Sequence, residues 1–390
     1  MLKRVYLDYA ATTPMDERVI KAIKPYWRHF FGNPSSLHYF GQQARQAVNQ
    51  AREKVAHLIN ALPEEIVFTS GGTEADNFAL KGTAFSLKDK GSHLITTKIE
   101  HSAILNPAKF LVKQGFKVTY LSPQKDGLIK PEDLEAALTD QTILVSVMHA
   151  NNEVGTIEPI KELIEVVKKF RGSKKYPLFH TDAVQTVGHI PIDVQELGVD
   201  LLSMSSHKLY GPKGVGALYI KKGVQLEPLL HGGEQERGRR GSTENVPGIV
   251  GFGKACELAE KELASESIRL TKLRDYFIQE IMSKIKDATL NGHLSQRLPN
   301  NINLSFAGIE GESMMLSLDL AGIACSTGSA CSSNTLEPSH VILALGINPE
   351  SAHSSLRFSL GKETTKQDLD YTIKQLIKII QRLRNISPYK

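Results

Sequence analysis

Seven short apolar runs limit this chain more than any other feature. They are "EIVFT" (65–69), "HLITT" (93–97), "KVTYL" (117–121), "TILVSVM" (142–148), "PLFHTDA" (177–183), "DLLSMS" (200–205) and "GALYI" (216–220). Helical patterns lie between several of them, such as "EADNFALKGTAF" (74–85) and "SAILNPAKFLVKQG" (102–115). Strands that alternate with helices can bury both faces only as βαβ units, which predicts a mostly parallel sheet with helices on both sides. Upstream, Ala44, Val48, Ala51, Val55 and Ile59 form one helical stripe over 39–59. Past residue 258 the texture changes. A long charged amphipathic helix is expected over 255–285, then shorter strands. A last helix starts at a capping pattern from Thr365 to Asp368 and carries Leu369, Ile373, Leu376, Ile380 and Leu383 on one face. The expected class is α/β: a large domain over 14–257, and a smaller α+β domain made from 1–13 and 258–390.

A chain of 390 residues exceeds one ordinary core, which agrees with two domains. The net charge of +5 comes without an arginine-rich run or an interleaved aromatic patch, so nucleic acid is not an expected partner. Three cysteines argue against a disulfide framework and fit a reducing compartment. No leader-like apolar segment and no run of 18 apolar residues is visible, so the expectation is a cytoplasmic protein with no membrane partner.

Chemistry-bearing residues gather where the strands end, which is where open α/β sheets place ligands. Lys208, in "SMSSHKLYGPKGVG" (203–216), follows one strand beside Ser205, Ser206 and His207. A lysine held in such a site can form a Schiff base with an aldehyde cofactor. In "FTSGGTEADN" (68–77), Gly72 and Thr73 open a helix, and its unpaired amides could cradle a phosphate. Asp182 ends another strand and could keep a pyridine nitrogen protonated, with Gln185 near the ring oxygen. His101 sits at a strand-to-helix junction, and "HANNEVGT" (149–156) offers Asn151 and Asn152. Taken singly, each has an ordinary reading: a surface lysine, a glycine-rich turn, a capping aspartate, a structural histidine.

Taken together they resemble a known family. "SSHKLYGPKG", "FTSGGTEADN", "HANNEVGT", "FHTDAVQ", "GSACSSNTLEPSH" and "SSLRFSLG", in this order, resemble the cysteine desulfurases of the NifS/IscS type. These are pyridoxal-phosphate enzymes of fold type I, in the class V aminotransferase group. The resemblance runs from "VYLDYAATTP" (5–14) to the last helix. It implies that Lys208 holds pyridoxal 5'-phosphate covalently. Gly72, Thr73, Ser205 and His207 would bind its phosphate. Thr243, in "RRGSTENVP" (239–247), would reach the phosphate of the neighbouring subunit, so a homodimer is implied. Asp182 would pair with the ring nitrogen and Gln185 with the ring hydroxyl, while His101 would stack on the ring and assist proton transfer. Asn152 would contact cofactor and substrate, Arg357 would clamp the carboxylate of L-cysteine, and Asn33 would help bind it.

The same resemblance makes Cys331 the nucleophile that takes the substrate sulfur as a persulfide, for delivery to an iron–sulfur scaffold or another acceptor. Cys331 stands in the "GSAC" context before "LEPSH"; Cys325 does not and reads as packing, as does Cys256. The nearest alternatives are other enzymes on this fold: an aminotransferase, a selenocysteine lyase or a C–S lyase. "GIVGFGKA" (248–255) fits a phosphate-loop spacing, but Ala255 replaces the metal-binding hydroxyl. No resident metal is expected, since Cys325, Cys331 and His340 lack zinc-site spacing. Cluster ligation shared between Cys331 and a partner is left open.

Overall fold

Strand β1 (Val5–Tyr6) comes first, and seven strands of one sheet follow at the apolar runs. These are β2 (Ile66–Thr69), β3 (His93–Thr97), β4 (Lys117–Leu121), β5 (Thr142–Ser146), β6 (Leu178–Asp182), β7 (Leu201–Ser205) and β8 (Gly216–Ile220). The computed structural model describes residues 3–327 and 338–386. The sheet order is β2-β8-β7-β6-β5-β3-β4. Strands β3 to β7 pair in parallel. Strand β8 alone runs antiparallel to its neighbours β7 and β2. The reason is the short connection 206–215, which lets the chain turn straight back, where a parallel crossover needs a dozen or more residues. Lys208 lies in that connection.

Both faces of the sheet are covered, so its strands are continuously apolar and not alternating. On one face Phe68, Val145, Phe179 and Leu202 pack with Val48 and Val55 of helix Tyr39–Leu58 and Phe252 of helix Val246–Lys284. On the other, Leu94, Leu144 and Leu201 pack with Phe78, Ile104 and Leu111.

The long helix starts at Val246, nine residues before the position expected from its amphipathic pattern. The start signals are Asn245, whose side chain accepts from the Gly248 N–H, and Pro247 in the first turn. Its glycines obscured the periodicity and serve close packing. A Cβ on Gly253 would lie 2.6 Å from the Ala51 Cα. The "GIVGFGKA" stretch is therefore a helix wall and not a phosphate loop. The helix also passes through the expected boundary at 257/258: up to Ala259 it packs on the large sheet, and from Leu270 it joins a second core.

That second core surrounds β9 (Ala288–Leu290), β10 (Asn301–Phe306) and β12 (Ser355–Ser359), which form an antiparallel sheet in the order β12-β10-β9. Between them in sequence, β11 (Ile323–Ala324) pairs in parallel with β1. Val5 and Leu7 from the chain's start are buried here. Helix Lys366–Ile386 closes the core behind reciprocal Thr365–Asp368 bonds of 3.0 and 3.2 Å. No helix among the described residues is long and apolar enough to cross a membrane.

Candidate active site

The carboxyl ends of β2, β3, β5, β6 and β7 open into one cavity of about 440 Å³. The chain steps from β3 outward to β4 and then back to β5 on the other side of β3, so a topological switch point lies between β3 and β5. His101 follows β3 and Asn152 follows β5. Asp182 ends β6, Ser205 ends β7, and Gly72 opens the helix after β2.

Lys208 Nζ donates to the carbonyls of Ala10 and Ala11 at 2.5 and 2.8 Å. Gln185 Nε2 donates to the same Ala10 carbonyl at 3.1 Å. The His207 Nδ1 lies 3.1 Å from the Thr12 hydroxyl. Residues 10–12 thus run along the site and fix three of its side chains. Arg357, on β12, donates to the Asp8 carboxylate and to the Asn152 carbonyl, both at 3.0 Å. Its guanidinium is buried, and its Nε has no hydrogen-bond partner among the described residues.

His101 caps helix Ser102–Lys113, with Nδ1 accepting from the Ala103 N–H at 3.1 Å. That bond puts the proton of the neutral ring on Nε2. Burial, with Lys208 second, pushes its pKa down to about 4, so the ring is neutral at physiological pH. Asp182 accepts from the Val184 N–H at 2.9 Å. Burial pushes its pKa up to about 6 against the pull of that bond and of Lys208, which leaves a carboxylate at neutral pH.

The residues suit an anionic, aromatic aldehyde. A Cβ on Gly72 would fall 2.8 Å from Val184 Cγ2 and 3.6 Å from the Ser205 Cβ, inside the cradle between the helix start and the end of β7. Only a glycine leaves that space for a phosphate. Spaced around the cavity stand the Lys208 amine, the accepting Asp182 carboxylate and the Gln185 amide.

Ten of the expected residues line this cavity: Gly72, Thr73, His101, Asn152, Asp182, Gln185, Ser205, His207, Lys208 and Arg357. Thr243 and Asn33 do not. Thr243 is exposed, and Asn33 is exposed with its side chain accepting from the Ser35 N–H. Cys331 lies outside the described residues. Cys325 sits just past β11 against the second core, and burial pushes its thiol up to about 12. Cys256 is fully buried.

The sequence reading missed Asp76, Glu153 and His340, which also line the cavity. Asp76 was legible as a charge three residues after Thr73 in an otherwise apolar helix face. Glu153 adjoins Asn152 and looked like part of a turn.

Buried acids give a testable pH dependence. Burial pushes Glu153 up to about 7 and Glu158 up to about 8, and raises Asp76 and Glu100 well above the usual range. A raised carboxyl pKa means the folded state binds more protons than the unfolded one, so stability falls as pH rises towards the folded value. Buried neutral histidines, His101, His149, His189 and His207 near 4, act oppositely but only below about 6.5. Between pH 6.5 and 8 the acids alone remain, and each extra bound proton changes stability by about 1.4 kcal/mol per pH unit. Thermal denaturation is expected to show declining stability over this window. Glu158→Gln is expected to flatten part of the decline; an unchanged slope would mean Glu158 is already ionised.

The model of the class-V aminotransferase family matches residues 5–372. A cysteine desulfurase IscS of Dictyoglomus turgidum is 59% identical over all 390 residues, covering 98% of the relative. One from Methanosarcina thermophila is 53% identical over 99% of this chain and 94% of its own. Among solved structures, a NifS-like protein superposes with a TM-score of 0.91 at 41% identity, over 98% of this chain and all of the other. The protein SspA in complex with cysteine gives 0.80 at 38% identity, over 91% and 98%.

Proposed function

The chain belongs to the class-V aminotransferase family, and on that premise we infer that it is a pyridoxal-phosphate-dependent cysteine desulfurase, converting L-cysteine to L-alanine and a protein-bound persulfide. The observation that carries this is Lys208, Asp182 and Arg357 lining one cavity in a chain 59% identical along its whole length to a cysteine desulfurase.

Pyridoxal phosphate, when bound, supplies an aldehyde for amines and a protonated ring that takes up electrons from the substrate's α-carbon. Lys208 supplies the amine that holds it. Gly72, Thr73, Ser205 and His207 form the phosphate cradle. Asp182, a carboxylate at neutral pH, keeps the ring nitrogen protonated, and Gln185 hydrogen-bonds the ring hydroxyl. Neutral His101 presents Nε2–H for stacking and proton transfer. Arg357 receives the substrate carboxylate as a planar fork, with Asp8 and the Asn152 carbonyl fixing its orientation. Asn152 contacts cofactor and substrate, with Asn33 in a helping role. The Cys331 thiolate attacks the substrate sulfur, the carbon–sulfur bond breaks with its electron pair on carbon, and a proton there completes alanine.

A homodimer is part of the proposal. Its support is an exposed aromatic patch, with Trp27, Phe31 and Tyr39 each about two-thirds exposed and Phe31 stacked on Phe40 at 5.6 Å. Such a patch marks an interaction surface. Thr243, exposed and away from its own cavity, would serve the partner's phosphate site. The sulfur acceptor is proposed to be an iron–sulfur scaffold or another acceptor protein, and the location cytoplasmic, supported by the scarcity of cysteine.

The test is a peptide mass map after incubation with L-cysteine without reductant. Added sulfur on the Cys331 peptide is expected. No added sulfur in cofactor-loaded protein would send the reading to an aminotransferase or lyase.

A further inference from the structure

We propose that Glu153 is a positioning residue: through the Ser339 hydroxyl it ties the root of the segment that carries Cys331 to the wall of the cavity formed by Lys208 and Arg357. The inference rests on the desulfurase reading.

Glu153 is 4% exposed and lines the cavity. Its backbone is held at both ends: its N–H donates to Asn151 Oδ1 at 2.9 Å, and its carbonyl accepts from Asn303 Nδ2 at 3.2 Å. Ser339 is buried, with its hydroxyl 2.5 Å from Glu153 Oε2. The same hydroxyl oxygen accepts from the N–H groups of Val341 and Ile342 at 3.2 and 3.3 Å, capping helix His340–Ala344. A hydroxyl has one proton and two lone pairs. Both lone pairs serve the cap, so the proton goes to Glu153, and Glu153 must accept. An ionised carboxylate does this. A protonated carboxyl can still accept through its carbonyl oxygen, but more weakly, so the tie is strongest when Glu153 is ionised.

A second tie lies beside it. His340 Nε2 is 3.0 Å from the Glu100 carbonyl, next to His101. Beneath, Val341, Ile342 and Leu345 pack against Ile99, Met148 and Val154. Residues 339–345 are therefore seated on the ends of β3 and β5, where the site residues stand. The groups that set the charge of Glu153 are few. Burial raises its pKa to about 7, while Ser339 and Arg357 from β12 favour the ionised form. Arg357 is itself paired with Asp8. His340 is held below its usual range by burial.

The experiment measures persulfide formation on Cys331 in the loaded enzyme for wild type, Glu153→Gln, Ser339→Ala, the double variant and Ser339→Thr, from pH 6 to 8.5. Cofactor absorbance is the separate readout. At pH 8, Ser339→Ala, which removes the tie and the helix cap, is expected to slow persulfide formation about ten-fold, and Glu153→Gln, which keeps only a neutral acceptor, about five-fold. Cofactor loading should stay within about two-fold. The double variant should lose no more than Ser339→Ala alone, because without the hydroxyl Glu153 has nothing to act through. Ser339→Thr, which keeps the hydroxyl, should stay within about three-fold. The ratio of wild type to Glu153→Gln should rise between pH 6 and 8, as Glu153 ionises, and then level off. Additive losses, a flat ratio, or loss of cofactor in proportion to activity would overturn the proposal. If Glu153→Gln does not fold, the Ser339→Ala and Ser339→Thr pair decides alone. Failure of the wild type itself to form a persulfide would instead overturn the desulfurase reading.

Discussion

Lys208→Ala is expected to fold and yet to turn over L-cysteine at least about 10³-fold more slowly, because the amine that captures the cofactor is gone. The fold should survive. Lys208 lies in the turn after β7, and its Nζ donates to the Ala10 and Ala11 carbonyls. Carbonyls left without that donor are at the cavity surface, where water can replace it. Lys208→Arg makes the sharper control. It keeps a cation and donors for the two carbonyls but cannot condense with an aldehyde at neutral pH, because guanidinium does not deprotonate. Both variants are expected to lose the cofactor's covalent absorbance, read after gel filtration, while melting as a single cooperative unit. Turnover within ten-fold of wild type in either variant would remove Lys208 from its proposed role.

Cys331→Ser should be as inactive in turnover, again by at least about 10³-fold, but for a different reason and with a different signature. The cavity residues are untouched, so cofactor loading and its absorbance should match wild type. What is lost is the nucleophile: a hydroxyl is a far poorer thiophile than a thiolate, so no added sulfur should be found. This variant also separates the desulfurase from an aminotransferase or lyase, which would keep turning over. Cys325→Ala is the internal control. Burial pushes the Cys325 thiol up to about 12, with Asp8 reinforcing the shift. Little thiolate exists at neutral pH, and activity should change by no more than a few-fold. Added sulfur on Cys325 in the wild type would overturn that assignment.

Residues read correctly from the sequence share one property: their signal is local. The apolar runs from "EIVFT" to "GALYI" became β2 to β8 because a strand buried on both faces must be apolar throughout. The Thr365–Asp368 cap was legible because its two partners are three residues apart. The start of the long helix was misplaced because Gly248, Gly251 and Gly253 break the apolar stripe, and their neighbours are set by the fold: Gly253 lies against Ala51 of helix Tyr39–Leu58, Gly251 against Ile23 and Pro212, and Gly248 under the capping side chain of Asn245.

The sequence by itself determined the parallel architecture and the candidate chemistry at each strand end, since side-chain type and short-range pattern carry both. Only the tertiary structure decided what those residues meet. Lys208 finds its acceptors nearly 200 residues away, at Ala10 and Ala11, and Arg357 its carboxylate at Asp8. Glu153 acquires a role only because Ser339 is folded against it. Such pairings depend on how the sheet and the second core close on one another, and no spacing along the chain encodes a contact between segments that are neighbours only after folding.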